Sequence, residues 1–287
     1  MKPQKNYPKE VYLNGEWKKP EDAFVSVFDR GFMFGDGIYE VTPFYEGKPF
    51  NLKEHLQRLQ CCLDEICLEF DAYSLEAVMQ EAISRGNFMA EDAAVYIQVT
   101  RGVAPRTHFF PENTVKSVLV YAFPVNLRGF ENNSWKVMAS EDKRWLRCDI
   151  KSTALLANTM ANEMAISAGY KENLLIRNGY FTEGSHTTMF LVKNDIIYTH
   201  PEGSLILSGI TRNFIIDLCS SLNIEIIEKA VHVDELVEID EIFLTGTTTQ
   251  VVPVESIDIE GKEVYSSRKN NITSRLQQEF QKITRNL

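Results

Sequence analysis

The chain opens with short alternating stretches of apolar and polar residues. Residues 10–19 place Asn14-Gly15 between two such stretches, a hairpin signal because this dipeptide tolerates positive φ at both turn positions. Gly35-Asp36-Gly37 then reads as a turn into a β-branched and aromatic run, and Glu46-Gly47 marks a second hairpin. Over residues 53–67 the period changes: Leu56, Leu59, Leu63 and Ile66 recur at helical spacing. A further helix is predicted over 74–86, with strands at 93–102 and 116–123. These elements predict an α+β domain built on an antiparallel sheet.

The pattern loosens at Asn126-Leu127-Arg128-Gly129, which places a small domain at 1–126, a linker at 127–129 and a larger domain at 130–287. In the larger domain a half-apolar run, 144–150, reads as a strand ending at Lys151, beside a buried-looking helix over 155–169 closed by Gly169. Strands are predicted at 173–178, 188–193 and 195–200, then a helix at 211–223, a strand–turn–strand at 241–257 and a polar helix at 265–284. There is no internal repeat, no regular βαβ alternation and no G-x-G-x-x-G, so a dinucleotide enzyme is disfavoured.

Composition narrows the class. An apolar share of 44% and a charged share of 24% are those of a globular protein with a sizeable core. No signal-peptide core and no run of about 20 apolar residues occurs, so a soluble, cytoplasmic protein is expected. A net charge of −10 argues against binding nucleic acid, which needs clustered Lys and Arg. The five cysteines are odd in number and lack C-x-x-C spacing, so structural zinc and a disulfide framework are not expected.

Candidate chemistry lies in a few places. Ser208-Gly209-Ile210-Thr211 precedes an amphipathic helix, whose first N–H groups and Thr hydroxyl can cradle a phosphate. Read alone, the segment fits an ordinary N-cap better. Thr245-Gly246-Thr247-Thr248-Thr249 is a second hydroxyl-rich turn, equally readable as a plain Ser/Thr turn. Lys151 becomes a nucleophile for a carbonyl if it is desolvated, although most lysines lie at the surface. Glu183 reads locally as a solvated turn acid. Arg106 and His108, two apart in a loop, project to one side if that loop is extended and then suit a planar carboxylate.

Seven of these segments together carry a resemblance. D-R-G-F-M-F-G-D-G-I-Y-E-V (29–41), H-L-Q-R-L (55–59), T-R-G-V-A-P-R-T-H (100–108), R-W-L-R-C-D-I-K-S (144–152), T-E-G-S (182–185), G-I-T-R (209–212) and T-G-T-T-T (245–249) resemble fold-type IV aminotransferases dependent on pyridoxal 5′-phosphate (PLP). Among these, bacterial D-amino-acid aminotransferases are the most similar. The match runs from about residue 10 to about residue 280, in the same order and near-family spacing.

The resemblance implies a two-domain fold, with a smaller N-terminal α/β domain and a larger C-terminal pseudo-barrel domain that binds PLP. It implies that Lys151 is the Schiff-base lysine and the proton carrier between Cα and C4′. Glu183 would pair with the protonated pyridine nitrogen. Arg58, the N–H groups of Ile210 and Thr211, and Thr247 with Thr248 would bind the phosphate. Leu207 would pack on the ring face, and Glu40 and His55 would form a hydrogen-bond network behind it. Tyr39, Arg106 and His108 resemble a substrate-carboxylate trap, with the Arg and His arriving from a neighbouring subunit of a homodimer. Transamination between D-amino acids such as D-alanine and 2-oxo acids such as pyruvate or 2-oxoglutarate, ping-pong through pyridoxamine phosphate, is the implied activity. The alternatives are an (R)-amine or branched-chain L-amino-acid transaminase, or a catalytically silent PLP-binding protein. One departure stands out: after Glu183-Gly184-Ser185 the family continues with serines and an asparagine, whereas this chain has His186-Thr187-Thr188. The imidazole either reshapes the substrate pocket or points away and packs.

Overall fold

Asn14 and Gly15 both adopt positive φ, 53° and 96°, in a computed structural model that describes residues 7–129 and 133–287. Residue 130, where the second domain is expected to begin, lies outside the described residues. The chain divides into two units. The first holds the described residues up to Asn126 together with Ile150–Ala154 and Leu287; the second holds those of Leu127–Asp149 and Leu155–Asn286. The expected linker at 127–129 falls at this boundary, on the side of the second unit, and Leu287 groups with the first. The short segment that contains Lys151 groups with the first unit.

In the first unit, β1 (Val11–Leu13), β2 (Glu16–Lys18), β3 (Gly37–Tyr45), β4 (Lys48–Pro49), β5 (Ala93–Thr100) and β6 (Ser117–Pro124) form one antiparallel sheet in the order β2-β1-β6-β5-β3-β4. Strand alternation turns Ile38, Val95, Ile97, Val99, Val118 and Val120 to one face. There they meet Leu56, Leu59 and Leu63 of helix α2 (Leu52–Glu65) and Met79 and Ile83 of helix α3 (Glu76–Gly86). The other face carries Tyr39, Tyr96 and Tyr121, all part-buried.

A five-residue helix, α1 (Arg30–Phe34), is absent from the expected elements, because one turn and a half is too short to show a period. It forms because Asp29 caps it, accepting from the Gly31 N–H at 2.8 Å. The same carboxylate accepts from the Thr100 hydroxyl at 2.8 Å and the Ser117 hydroxyl at 2.5 Å, which seats the cap on β5 and β6. Gly35 ends the helix in the left-handed region at φ 66°.

The second unit is a mixed sheet with helices α4 (Leu156–Ser167), α5 (Ile210–Ser221) and α6 (Asn271–Thr284). Its strands are β7 (Trp135–Glu141), β8 (Asn173–Arg177), β9 (Tyr180–Gly184), β10 (Thr188–Lys193), β11 (Ile196–Thr199), β12 (Ile226–Glu228), β13 (Glu241–Gly246), β14 (Gln250–Ile259) and β15 (Lys262–Ser266). The order is β12-β11-β10-β13-β14-β7-β8-β9, with β15 paired to β14. Pairs β11–β12, β14–β7 and β7–β8 are parallel and the others antiparallel. Its core gathers Val137, Leu174, Phe181, Leu191, Leu244, Val252 and Ile257.

Four expectations need correction. Residues 180–184 form strand β9, so Glu183 is a buried strand residue and not a turn acid. The run 144–150 is not a strand; it is irregular, its arginines tied down by side-chain ion pairs. The predicted C-terminal helix begins only at Asn271, since Tyr265 and Ser266 end β15. Helix α4 is not buried: Leu156, Met160 and Met164, four apart on one face, are exposed. Among the described residues no helix is long and apolar enough to cross a membrane.

Candidate active site

Lys151 is held from several sides within the first unit. Its carbonyl accepts from the Tyr39 N–H at 3.1 Å, and its own N–H donates to Sγ of Cys62 at 3.4 Å. One residue on, Ser152 bridges Ile38, and the Thr153 N–H donates to the Gly37 carbonyl at 2.9 Å. The segment is thus stitched to the start of β3 and its side chain is aimed by its backbone. Nζ stands 4.2 Å from the centroid of the Tyr39 ring, a cation–π distance. Tyr39 is itself fixed by stacking on Tyr96 at 5.8 Å, which stacks on Tyr121 at 5.1 Å.

A charged network lies beside Lys151 on α2. His55, Arg58 and Cys62 fall at i, i+3 and i+7, one face of the helix. Glu40, with 0% exposure, accepts from Nδ1 of His55 at 3.0 Å and from Nε and Nη2 of Arg58 at 2.9 and 2.7 Å. Burial alone would raise the Glu40 carboxyl, but Arg58 and His55 hold it well below the usual carboxylate range. Burial lowers His55 despite Glu40, with the charges of Arg58 and Lys151 acting in the same direction. The pair Glu40–Arg58 is therefore a permanent ion pair, and a neutral imidazole completes it. The structure brings Tyr39, Glu40, His55, Arg58 and Lys151 into this one constellation.

In the second unit Glu183 is the penultimate residue of β9, at 6% exposure. It accepts from Nη1 of Arg144 at 2.5 Å and, through both oxygens, from the Leu207 N–H at 3.2 Å. Leu207 therefore meets Glu183 through its main chain. The Arg144 guanidinium is shared with Asp142 through two hydrogen bonds of 3.0 and 2.9 Å. Burial pushes the Glu183 carboxyl up to about 7, opposed in part by Arg144 and the Leu207 N–H and reinforced by Asp142. A carboxyl poised there shares a proton readily with a weakly basic ring nitrogen.

Behind Glu183, the buried carboxylate of Glu172 gathers the next loop. It accepts from the N–H of Asn173 at 2.7 Å, the N–H and hydroxyl of Ser185 at 3.1 and 2.5 Å, and the Thr187 hydroxyl at 2.9 Å. Nδ1 of His186 lies 3.0 Å from it. The imidazole is thus bound to Glu172, with the side chain 48% exposed.

Helix α5 carries the segment expected to cradle a phosphate. Its N-cap is Gly209, which makes no side-chain cap, so the leading N–H groups at Ile210 and Thr211 have no cap among the described residues. A Cβ on Gly209 would lie 3.0 Å from Oγ1 of Thr188, and Thr188 pairs with Thr245 across β10 and β13. Among the described residues the buried Thr245 hydroxyl has no hydrogen-bond partner, and Thr247 and Thr248 occupy the turn that follows. Arg212, in the same G-I-T-R segment, does not serve here; it is buried against Glu228 at 2.6 Å and Glu202 at 3.4 Å.

Arg106 and His108 do share a side of their loop. Both reach the ring of Phe34, the Arg106 guanidinium carbon at 5.1 Å from its centroid and the His108 ring at 6.0 Å. Both are exposed, and among the described residues no hydrogen bond or ring contact joins either to Tyr39. Sequence reasoning named no role for Cys62, Arg144, Glu172 or Thr188. Arg144 stands in the quoted 144–152 segment, but nothing local shows that it faces Glu183, 39 residues on.

Comparisons with known proteins agree with this architecture. The chain is 39% identical over 274 residues to D-alanine aminotransferase of Bacillus licheniformis, covering 94% of this chain and 95% of that one. The crystal structure of Escherichia coli branched-chain amino acid aminotransferase superposes with a TM-score of 0.87 at 27% identity, over 97% of this chain and 95% of that one. The branched-chain enzyme of Thermobaculum terrenum, solved in its PLP form, gives 0.82 at 23% identity over 98% and 95%. The family model for amino-transferase class IV matches residues 37–257. The chain belongs to the class IV amino-transferases, a family of PLP-dependent enzymes.

Proposed function

We propose that the protein transfers amino groups between D-amino acids, D-alanine among them, and 2-oxo acids such as pyruvate or 2-oxoglutarate, with PLP as cofactor. The observation that carries the choice of D-amino acids is the Arg106–His108 pair presented from one loop, in a chain alike over nearly its whole length to a D-alanine aminotransferase. The residues fit the cofactor. An orphaned Thr245 hydroxyl near an uncapped helix start is a donor set for a phosphate, and Glu183 is an acceptor tuned for a pyridine N–H.

When bound, PLP withdraws electrons from the substrate Cα, so that its proton can leave. The chain's residues do the rest. The Lys151 ε-amine would hold the cofactor and would carry the Cα proton on the face it occupies. Glu183 would pair with the ring nitrogen and keep it protonated, and Arg144 holds the Glu183 carboxyl in place. The Ile210 and Thr211 N–H groups, Thr247, Thr248 and Arg58 would hold its phosphate, and Glu40 with His55 fixes Arg58. Leu207 presents its N–H to Glu183. Arg106, His108 and Tyr39 orient the substrate carboxylate, and so decide which Cα–H faces Lys151.

The working molecule in this reading is a homodimer whose partners exchange Arg106 and His108. Those two residues are exposed, as are the apolar side chains Phe24, Val27, Phe28, Phe32, Phe109 and Phe110 of the first unit, which a partner would cover. A reducing, cytoplasmic setting fits five free cysteines. The branched-chain reading rests on the solved structures named above. A half-reaction separates the two: purified protein carrying PLP is mixed with D-alanine or L-leucine and its visible absorbance followed. Bleaching by D-alanine is expected; bleaching by L-leucine alone would replace D-amino acids with branched-chain L-amino acids.

A further inference from the structure

The loop that carries Arg106 and His108 has almost no regular structure, yet it is staked along its length to α1. The Arg30 N–H donates to the Gly102 carbonyl at 2.9 Å, Asp29 bridges Val103, and the Ala104 N–H donates to the Phe28 carbonyl at 3.2 Å. Midway, Nη1 of Arg30 donates to the Thr107 carbonyl at 2.7 Å. Arg30 is only 3% exposed and its Nε is paired with Asp36 at 2.7 Å. Asp36 also takes Nε of Arg101, whose guanidinium stacks 3.6 Å over Phe110 at the far end of the loop. The stake at Thr107 falls between the two residues of interest. Pinning that carbonyl sends the side chains on either side of it in a common direction.

What they reach is Phe34, four residues after Arg30 and so on the same face of α1. Its ring meets Arg30 at 4.6 Å, Arg106 at 5.1 Å and, edge-on at 73°, His108 at 6.0 Å. One ring thus sets the separation of a guanidinium and an imidazole that are otherwise exposed on a loop. Long exposed side chains left alone would sample many rotamers, and ordering them on binding would weaken substrate capture.

We propose that Phe34 and Arg30 are positioning residues for substrate-carboxylate binding, Phe34 as the post that spaces Arg106 from His108 and Arg30 as the anchor of the peptide between them. This rests on the reading of Arg106 and His108 as the carboxylate-binding pair. Neither α1 residue touches substrate in this scheme, so their loss acts on capture more than on chemistry.

The test uses the PLP-loaded enzyme and steady-state kinetics with D-alanine and pyruvate on five proteins: parent, Phe34→Leu, Phe34→Tyr, Arg106→Ala and the Phe34→Leu/Arg106→Ala double variant. Phe34→Leu is expected to raise KM for both substrates roughly tenfold, because neither Arg106 nor His108 then has a ring to rest on, while kcat changes less than about threefold and the visible absorbance is kept. Phe34→Tyr retains the ring and is expected to stay within about twofold of parent. In the double variant with Arg106→Ala, Phe34→Leu should add little, because its partner is gone. An unchanged KM in Phe34→Leu, or full additivity with Arg106→Ala, would overturn the proposal while leaving the carboxylate reading intact. An Arg106→Ala enzyme with parental KM would instead remove that reading itself. Should Phe34→Leu not fold, Arg30→Lys, which keeps the charge beside Asp36 but shortens the reach to Thr107, is expected to show the same KM rise; parental KM there counts against the proposal.

Discussion

The main-chain N–H of Lys151 donates to the thiol sulfur of Cys62, 89 residues earlier, at 3.4 Å. The lysine proposed to carry the chemistry thus has its backbone held by a helix whose same face bears His55 and Arg58. Burial pushes the Cys62 thiol up, so it stays protonated and serves as a neutral acceptor. Cys62→Ala removes that acceptor and is expected to lower kcat several-fold and to cost about 1 kcal/mol of stability, whereas Cys62→Ser restores most of both. Thermal melts alongside kcat measure it, and an alanine variant equal to the serine variant would show the contact to be incidental.

Glu183 predicts a pH dependence of the cofactor-free protein. Its folded-state value of about 7 lies above the ordinary 4.5, so the folded state holds the extra proton between the two. Stability contributed in this way is complete at the acid end and is lost as pH rises from about 4.5 to about 7. Glu183→Gln is expected to flatten that slope in urea melts taken across the window. In the loaded enzyme the same substitution leaves the ring nitrogen without its acid partner, and kcat should fall on the order of a hundredfold.

The buried Glu172 carboxylate behaves oppositely. Burial would raise it, but His186 and the donors of the 184–187 loop bring it below its ordinary value. Its contribution is present above the unfolded value and disappears as pH falls through the folded one. His186→Ser removes the largest of those opposing influences, so acid unfolding is expected to begin at higher pH, while the neutral-pH melting temperature moves only slightly. A variant with an unaltered acid midpoint would mean that the loop amides and hydroxyls suffice.

Shared sites make a prediction that needs no structure of the dimer. Lys151→Ala should abolish turnover and the visible absorbance of the loaded enzyme, and Arg106→Ala should cripple substrate capture. If neighbours exchange Arg106, refolding the two variants together creates hybrids with one intact site, and about a quarter of parental activity returns on random pairing. Activity no higher than that of the separate variants would place Arg106 in its own subunit's site.

The sequence by itself determined the elements whose signal is local. A β-branched and aromatic run after Gly37 marked β3, short alternating stretches around Asn14-Gly15 marked the first hairpin, and Leu56, Leu59 and Leu63 marked α2, because each of these patterns is complete within a dozen residues. Seven short segments in order were enough to name Lys151, Glu183, Arg58 and the hydroxyl turns, through resemblance. Tertiary structure decided the rest. Burial makes Glu183 a raised acid on a strand, although its neighbours in sequence look like a turn. Arg144 and Glu172 acquire their roles from partners 39 and 13 residues away, and Cys62 from one 89 away. Helix α1 is too short to have a period, and exists because Asp29 is capped onto two strands that follow some 70 to 90 residues later. A hydrogen bond or an ion pair depends on distance in space, and local pattern records only distance along the chain.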